Sequence, residues 1–88
     1  MKIEVTQYTQ EELEEEGVFD WPIWEHDEEK FDWYYDQTEL CYIIEGEVTI
    51  TTEFESVTIQ AGDFVTFPKG LECVWDIQSS VKKHYSFE

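Results

Sequence analysis

From Glu39 onward the chain is written in short runs of strand-forming residues, CYII, EVTITT, SVTIQ, FVTF, ECVWDI and VKKHYSF, separated by turn residues at EG, AGD and PKG. Apolar and polar side chains alternating within runs this short cannot sit on a helix, because period-2 spacing would spread them around its circumference. Gly-bearing turns about every 8–12 residues predict an all-β sandwich or barrel of about seven or eight short strands. TELCYIIEGEVTITT reads as one hairpin: CYII rises, Glu45-Gly46 turns, and the return strand carries Val48 and Ile50 on one face. SVTIQ follows, FVTF ends at Pro68, and ECVWDI places Cys73, Trp75 and Ile77 together. In the last run Val81, Lys83, Tyr85 and Phe87 share one side, and Lys82, His84 and Ser86 the other. Gly46, Gly62 and Gly70 are expected at turns, where glycine relieves the backbone of a Cβ.

The N-terminal part is less regular. Ile3 and Val5 predict a short first strand, and Thr9-Gln10-Glu11-Glu12 has capping-box spacing for a short helix that Gly17 stops. Leu13 is the one apolar anchor inside it, so the helix is expected to lie loosely on the body. The following VFDWPIWEHDEEK, with Pro22 unable to donate to a ladder, reads as an extended arm or edge strand covering one end of the core.

A chain of 88 residues supports one domain, residues 1–88, with a thin core. Its 4 Trp, 5 Tyr and 6 Phe must fill much of that core. The formal net charge of −17, from 22 acidic against 5 basic side chains, excludes nucleic acid backbones and anionic membranes as partners. The longest apolar run, Leu40 to Ile44, is far short of the roughly 20 residues a membrane span needs. The opening MKIEVTQYTQ lacks the apolar stretch of an export signal, so a soluble cytoplasmic protein is expected, with Cys41 and Cys73 reduced.

Two spaced motifs are more specific. Glu39, six residues and Gly46 form the first; Gly62, five residues, Pro68-Lys69-Gly70 and Cys73 form the second, with 15 residues between the two glycines. This pattern resembles the paired motifs of the cupin superfamily and implies a double-stranded β-helix, or jelly-roll barrel, here preceded by a short helix and an arm. The phrases WPIWE, FDWYYDQTELCYIIEG, VTIQAGDFVTFPKGLECVWDI and KKHY resemble a subgroup of small single-domain cupins related to the ureidoglycine aminohydrolase and ethanolamine-utilisation cupins. In the superfamily, two histidines, a glutamate and a third histidine hold a divalent metal. The matching positions here are Trp33, Tyr35, Glu39 and Cys73.

Three imidazoles are thus replaced, and an indole N–H is only a donor. No metal cofactor is expected, the remaining alternative being a Tyr35, Glu39 and Cys73 set, whose phenolate, carboxylate and thiolate are all ligand types. His26 reads as a solvated loop residue, and His84 lies on the polar face of the last strand.

Alternation from residue 33 onward turns Trp33, Tyr35, Gln37 and Glu39 inward, toward Cys73 and Trp75. These six form the candidate ligand-binding set, an aromatic cavity with Glu39 as its anionic handle for an amine or hydroxyl group. A buried carboxylate needs a partner or a ligand. Binding of a small molecule without catalysis is the first reading. An enzyme using Cys73 and Glu39, of aminohydrolase or isomerase type, and a structural or regulatory interaction domain remain alternatives. Because CYII and FVTF are apolar on both faces, their outer side needs a cover, either the arm or a second subunit, and a homodimer is expected.

Overall fold

Two strands organise the molecule, and both are longer than the sequence rhythm implies. The computed structural model describes Met1–Glu88. Along the chain run β1 (Glu4–Thr6), α1 (Gln10–Glu15), a 3-10 turn (Val18–Asp20), β2 (Ile23–His26), β3 (Lys30–Tyr34), β4 (Glu39–Thr51), β5 (Ser56–Gln60), β6 (Phe64–Phe67) and β7 (Glu72–Phe87). β4 continues through Glu45-Gly46 for 13 residues, and ECVWDI and VKKHYSF are the two halves of one 16-residue strand.

The predicted hairpin at Gly46 is therefore a bulge. Gly46 has φ +98°, and the β4–β7 register slips at three steps between Ile43 and Val48. An extra residue at a bulge bends a strand and switches which side chains face inward. Cys41 and Ile43 before Gly46, and Val48 and Ile50 after it, consequently all point into the same interior, where each is fully buried.

Bending lets β4 and β7 serve two layers. The first half of β4 lies between β6 and the second half of β7, with β1 and β2 at the outer edges. Its second half lies between β5 and the first half of β7, and β3 completes that layer. The result is the antiparallel, all-β jelly-roll barrel expected from the sequence. Ile43, Val48, Ile50, Ile59, Val65, Phe67 and Ile77 fill it.

The N-terminal segment is bound more firmly than its sequence implies. Thr9 Oγ1 accepts the Glu12 N–H and Glu12 Oε1 accepts the Thr9 N–H, both at 3.1 Å, completing the expected capping box. Leu13 does not lie loosely: it is buried with Val18 and Phe64, and Tyr8, Trp21, Leu40 and Tyr42 pack around them. The segment from Val18 is not extended throughout, since a 3-10 turn precedes β2. β2 then pairs with the end of β7, and the Pro22 carbonyl accepts the Tyr85 N–H, a role that needs no proline donor. Of the outward side chains on β4 and β6, Leu40, Tyr42 and Phe64 are packed against the chain's own N-terminal segment. No helix is long and apolar enough to cross a membrane.

Candidate functional site

The final strand places a lysine where its neighbours are apolar. Val81 and Lys83 alternate inward on β7, and Lys83 is only 5% exposed. An ammonium this deep requires a counter-charge. It has one: Lys83 Nζ donates to Glu39 Oε2 at 2.6 Å, from the adjacent strand, and Glu39 itself is 2% exposed. The same ammonium lies 4.6 Å from the Trp75 ring centroid, 5.0 Å from that of Trp24 and 6.0 Å from that of Tyr85. Cation–π attraction from the buried Trp75 ring and the partly buried Trp24 and Tyr85 rings adds to the ion pair.

This pair forms the polar floor of a pocket of about 300 Å³. Trp24 from β2, Phe31 and Trp33 from β3, Trp75, Tyr85 and Phe87 from β7, and Tyr35 from the β3–β4 connection make the walls. Phe31 lies nearly parallel to Trp75, and Trp24 meets Trp75 edge-on. Trp33, 49% exposed, stands at the rim.

Of the six ligand-binding residues expected from the sequence, Trp33, Tyr35, Glu39 and Trp75 line this pocket. Gln37 does not; it is exposed. β3 ends at Tyr34 and a bend precedes β4, so the alternation that would have turned Gln37 inward is interrupted. Tyr35 is instead held by its backbone, its N–H donating to the Leu71 carbonyl and its carbonyl accepting the Gly70 N–H. Cys73 is buried in the barrel core beside Trp75, and also borders a second groove with Trp33, Leu71 and Val74. His84 faces the outer layer, its Nδ1 2.9 Å from the Trp21 carbonyl oxygen. His26 sits near the surface with Nε2 3.0 Å from Glu29.

Sequence reasoning missed Lys83, and with it Trp24, Phe31, Tyr85 and Phe87. The signal for Lys83 was present: it shares a strand face with Val81, Tyr85 and Phe87, the one lysine set among apolar neighbours. Its discovery also changes the role of Glu39. The carboxylate already answers Lys83, so it is not a free anionic handle.

Burial and the charge on Glu39 keep the nearby phenol and thiols neutral. Burial, followed by the Glu39 charge and hydrogen bonding to it, pushes the Tyr35 phenol far above its ordinary range. Cys73 is raised to about 11, by burial first and Glu39 second. Burial drives Cys41 up to about 12, although Lys83 acts in the opposite direction. Cys73 is thus a thiol at neutral pH, not the thiolate a nucleophile or metal ligand requires.

Those positions do not fit a divalent metal. Trp33 is a donor, Tyr35 and Cys73 hold their protons, and Glu39 is engaged by an ammonium that would repel a cation. No three His, Cys, Asp or Glu side chains converge to hold one.

These raised acids give the fold an alkaline limit. Each binds its proton more tightly when folded, so the unfolded chain loses protons first once pH passes 9.0 for the thiols and 10.0 for the phenol. Stability should be level at neutral pH and fall above pH 9. For Cys41 alone the loss is about 1.4 kcal/mol per pH unit until its folded value is reached. Urea midpoints measured from pH 7 to 11 should show this decline, shallower in Cys41→Val; a flat profile to pH 10.5 would contradict the assignment.

Residues 13–85 match the EutQ-like cupin domain. No curated protein sequence matches the chain. Among solved structures, a DUF861 family protein from Thermotoga maritima is 48% identical, with 99% of this chain and 100% of that one aligned at a TM-score of 0.96. A DUF861 family protein of unknown function from Pseudomonas syringae is 28% identical, covering 75% of this chain and 29% of that one, TM-score 0.69. The EutQ protein of Clostridium difficile is 25% identical over 74% of this chain, TM-score 0.68; the alignment spans 52% of EutQ, about half its length. With its bent-strand barrel, its paired motifs and a profile match across most of its length, this chain belongs to the EutQ-like cupin domain family.

Proposed function

We propose that this domain binds a small, flat molecule in the barrel pocket without transforming it. The observation that carries the reading is the aromatic wall closed over a buried Lys83–Glu39 pair. Ligand sites combine apolar walls with a few fixed polar groups that orient what the walls retain, and about 300 Å³ is the lower end of their usual size. Aromatic side chains supply large contact area at little entropic cost.

Binding is favoured over catalysis by the state of the candidate groups. Cys73 has no thiolate to offer, and Glu39 is committed to Lys83. A base or nucleophile in this position would have to break a buried ion pair before acting.

Three of the 4 tryptophans, Trp24, Trp33 and Trp75, border the pocket, so intrinsic fluorescence reports its occupancy. Titration with planar aromatic probes of benzene-ring size should quench or shift the emission saturably. Trp33→Ala should weaken binding by about tenfold, the scale of one lost aromatic contact, while leaving the fold intact because Trp33 is at the rim. A probe series that leaves both emission and melting temperature unchanged up to millimolar concentration would reject the reading.

A further inference from the structure

We infer that the open edge of β3 takes up an extended segment of a partner protein as an added strand, a segment whose side chains alternate between basic and apolar. The inference does not depend on the barrel pocket's holding a ligand. β3 pairs with β7 on one side and with no strand on the other. At its two ends the Glu29 carbonyl accepts the Ile77 N–H and the Tyr35 N–H donates to the Leu71 carbonyl, so the bonds to β7 fall on odd-numbered residues. Antiparallel ladders alternate bonded and non-bonded pairs, which gives Phe31 and Trp33 to β7 and turns the backbone N–H and C=O groups of Lys30, Asp32 and Tyr34 away from it. A row of unpaired backbone groups on an exposed edge is a template for another strand.

The side chains along that edge set the chemistry of the incoming segment. Asp32 and Tyr34 stand in register with Val74 and Glu72 on the outer face of the sheet, whereas Phe31 and Trp33 stand in register with Trp75 and Cys73 on the inner one. The outer face borders the second groove, which reaches the β4–β5 turn, where Phe54 is exposed. Asp32, Glu53 and Glu72 line this groove, and no basic side chain does. Lys30, the one base on β3, lies outside it, in register with Asp76. Successive side chains of an added strand alternate between the two faces. Those on the outer face meet Asp32 and Glu72 and are matched by lysine or arginine; those on the inner face meet Phe31 and the half-exposed Trp33 and are matched by apolar groups.

Charge decides against a second copy of this chain as the occupant. Two molecules of net charge −17 would have to join through edges that both present acids, and an antiparallel pairing centred on Asp32 would set the two Asp32 carboxylates opposite each other. A basic segment is attracted throughout its approach.

A short peptide alternating lysine and valine, acetylated and amidated at its ends, tests this on the intact protein by NMR titration and amide hydrogen exchange. At saturation, exchange at the Lys30, Asp32 and Tyr34 amides should slow by at least about tenfold, while the Phe31 and Trp33 amides, already held by β7, change little. A peptide of the same composition with its lysines and valines in separate blocks keeps the charge and loses the alternation, and should bind at least about tenfold more weakly. Asp32→Lys, at an exposed position, should weaken the alternating peptide by about tenfold. Equal binding of the block peptide would reduce the effect to general attraction by an acidic chain and overturn the inference. So would failure of the alternating peptide to bind at millimolar concentration, or slowed exchange confined to residues away from β3. Protection of the Lys30, Asp32 and Tyr34 amides in the free protein, together with a dimeric mass by sedimentation, would assign the edge to a second copy and overturn it as well.

Discussion

Lys83→Met should destabilise the domain by about 3–5 kcal/mol, the cost of leaving one member of a buried ion pair without its partner. For a domain of this size that corresponds to a fall in Tm of roughly 15–30 °C. The reason is local: Glu39 is 2% exposed and Lys83 is its one cationic partner, at 2.6 Å. Glu39→Gln strands the Lys83 ammonium with only an amide oxygen to bond. Its cost should be about 2–3 kcal/mol. The double variant Lys83→Met/Glu39→Gln removes both charges and should recover at least half of the Lys83→Met loss, because an apolar floor in an aromatic pocket carries no uncompensated charge. Urea unfolding of the four proteins gives the coupling directly. If Lys83→Met unfolds within about 1 kcal/mol of the parent, the two charges are not a buried pair.

Gly46→Ala should be comparably damaging, by about 4 kcal/mol or more, and by a different mechanism. A Cβ at Gly46 would run into the Ser80 carbonyl and stand 2.8 Å from the Ser79 carbonyl oxygen and from the Val81 Cα. All three are backbone atoms of β7, which cannot step aside without breaking the pairing that joins the two layers. The residue also has φ +98°, where a side chain is strained. Gly62 separates the two causes. Its φ is nearly the same, +97°, but nothing lies within 4 Å of the position its Cβ would take. Gly62→Ala should therefore show backbone strain alone, about 1–2 kcal/mol. Equal losses at the two sites would mean that the β4–β7 crossing is not as close as described.

Much of the barrel was legible in the chain because its determinants are local. Period-2 alternation grouped Val48 with Ile50, and Cys73 with Trp75 and Ile77, on single strand faces, and these side chains are buried. The capping box at Thr9 needs only residues three apart, and it forms as read. Motif spacing carried the family, since the Glu39–Gly46 and Gly62–Cys73 intervals are consequences of strand and turn lengths.

What the tertiary structure decided concerns partners far apart in sequence. A glycine after a glutamate reads equally as a hairpin turn or a bulge; only the crossing of Ser79 and Ser80 behind Gly46 makes it a bulge within one long strand. The bend after Tyr34 removed Gln37 from the pocket, because the backbone of Tyr35 bonds to Leu71 and Gly70 rather than continuing a strand. The polarity of the site changed most. Glu39 alone implied an anionic handle for an amine or hydroxyl group, but 44 residues later Lys83 arrives on the neighbouring strand and pairs with it. A single chain specifies which side chains turn inward through its local alternation. Which of them meet depends on strand register, and register is set by the packing of the whole barrel.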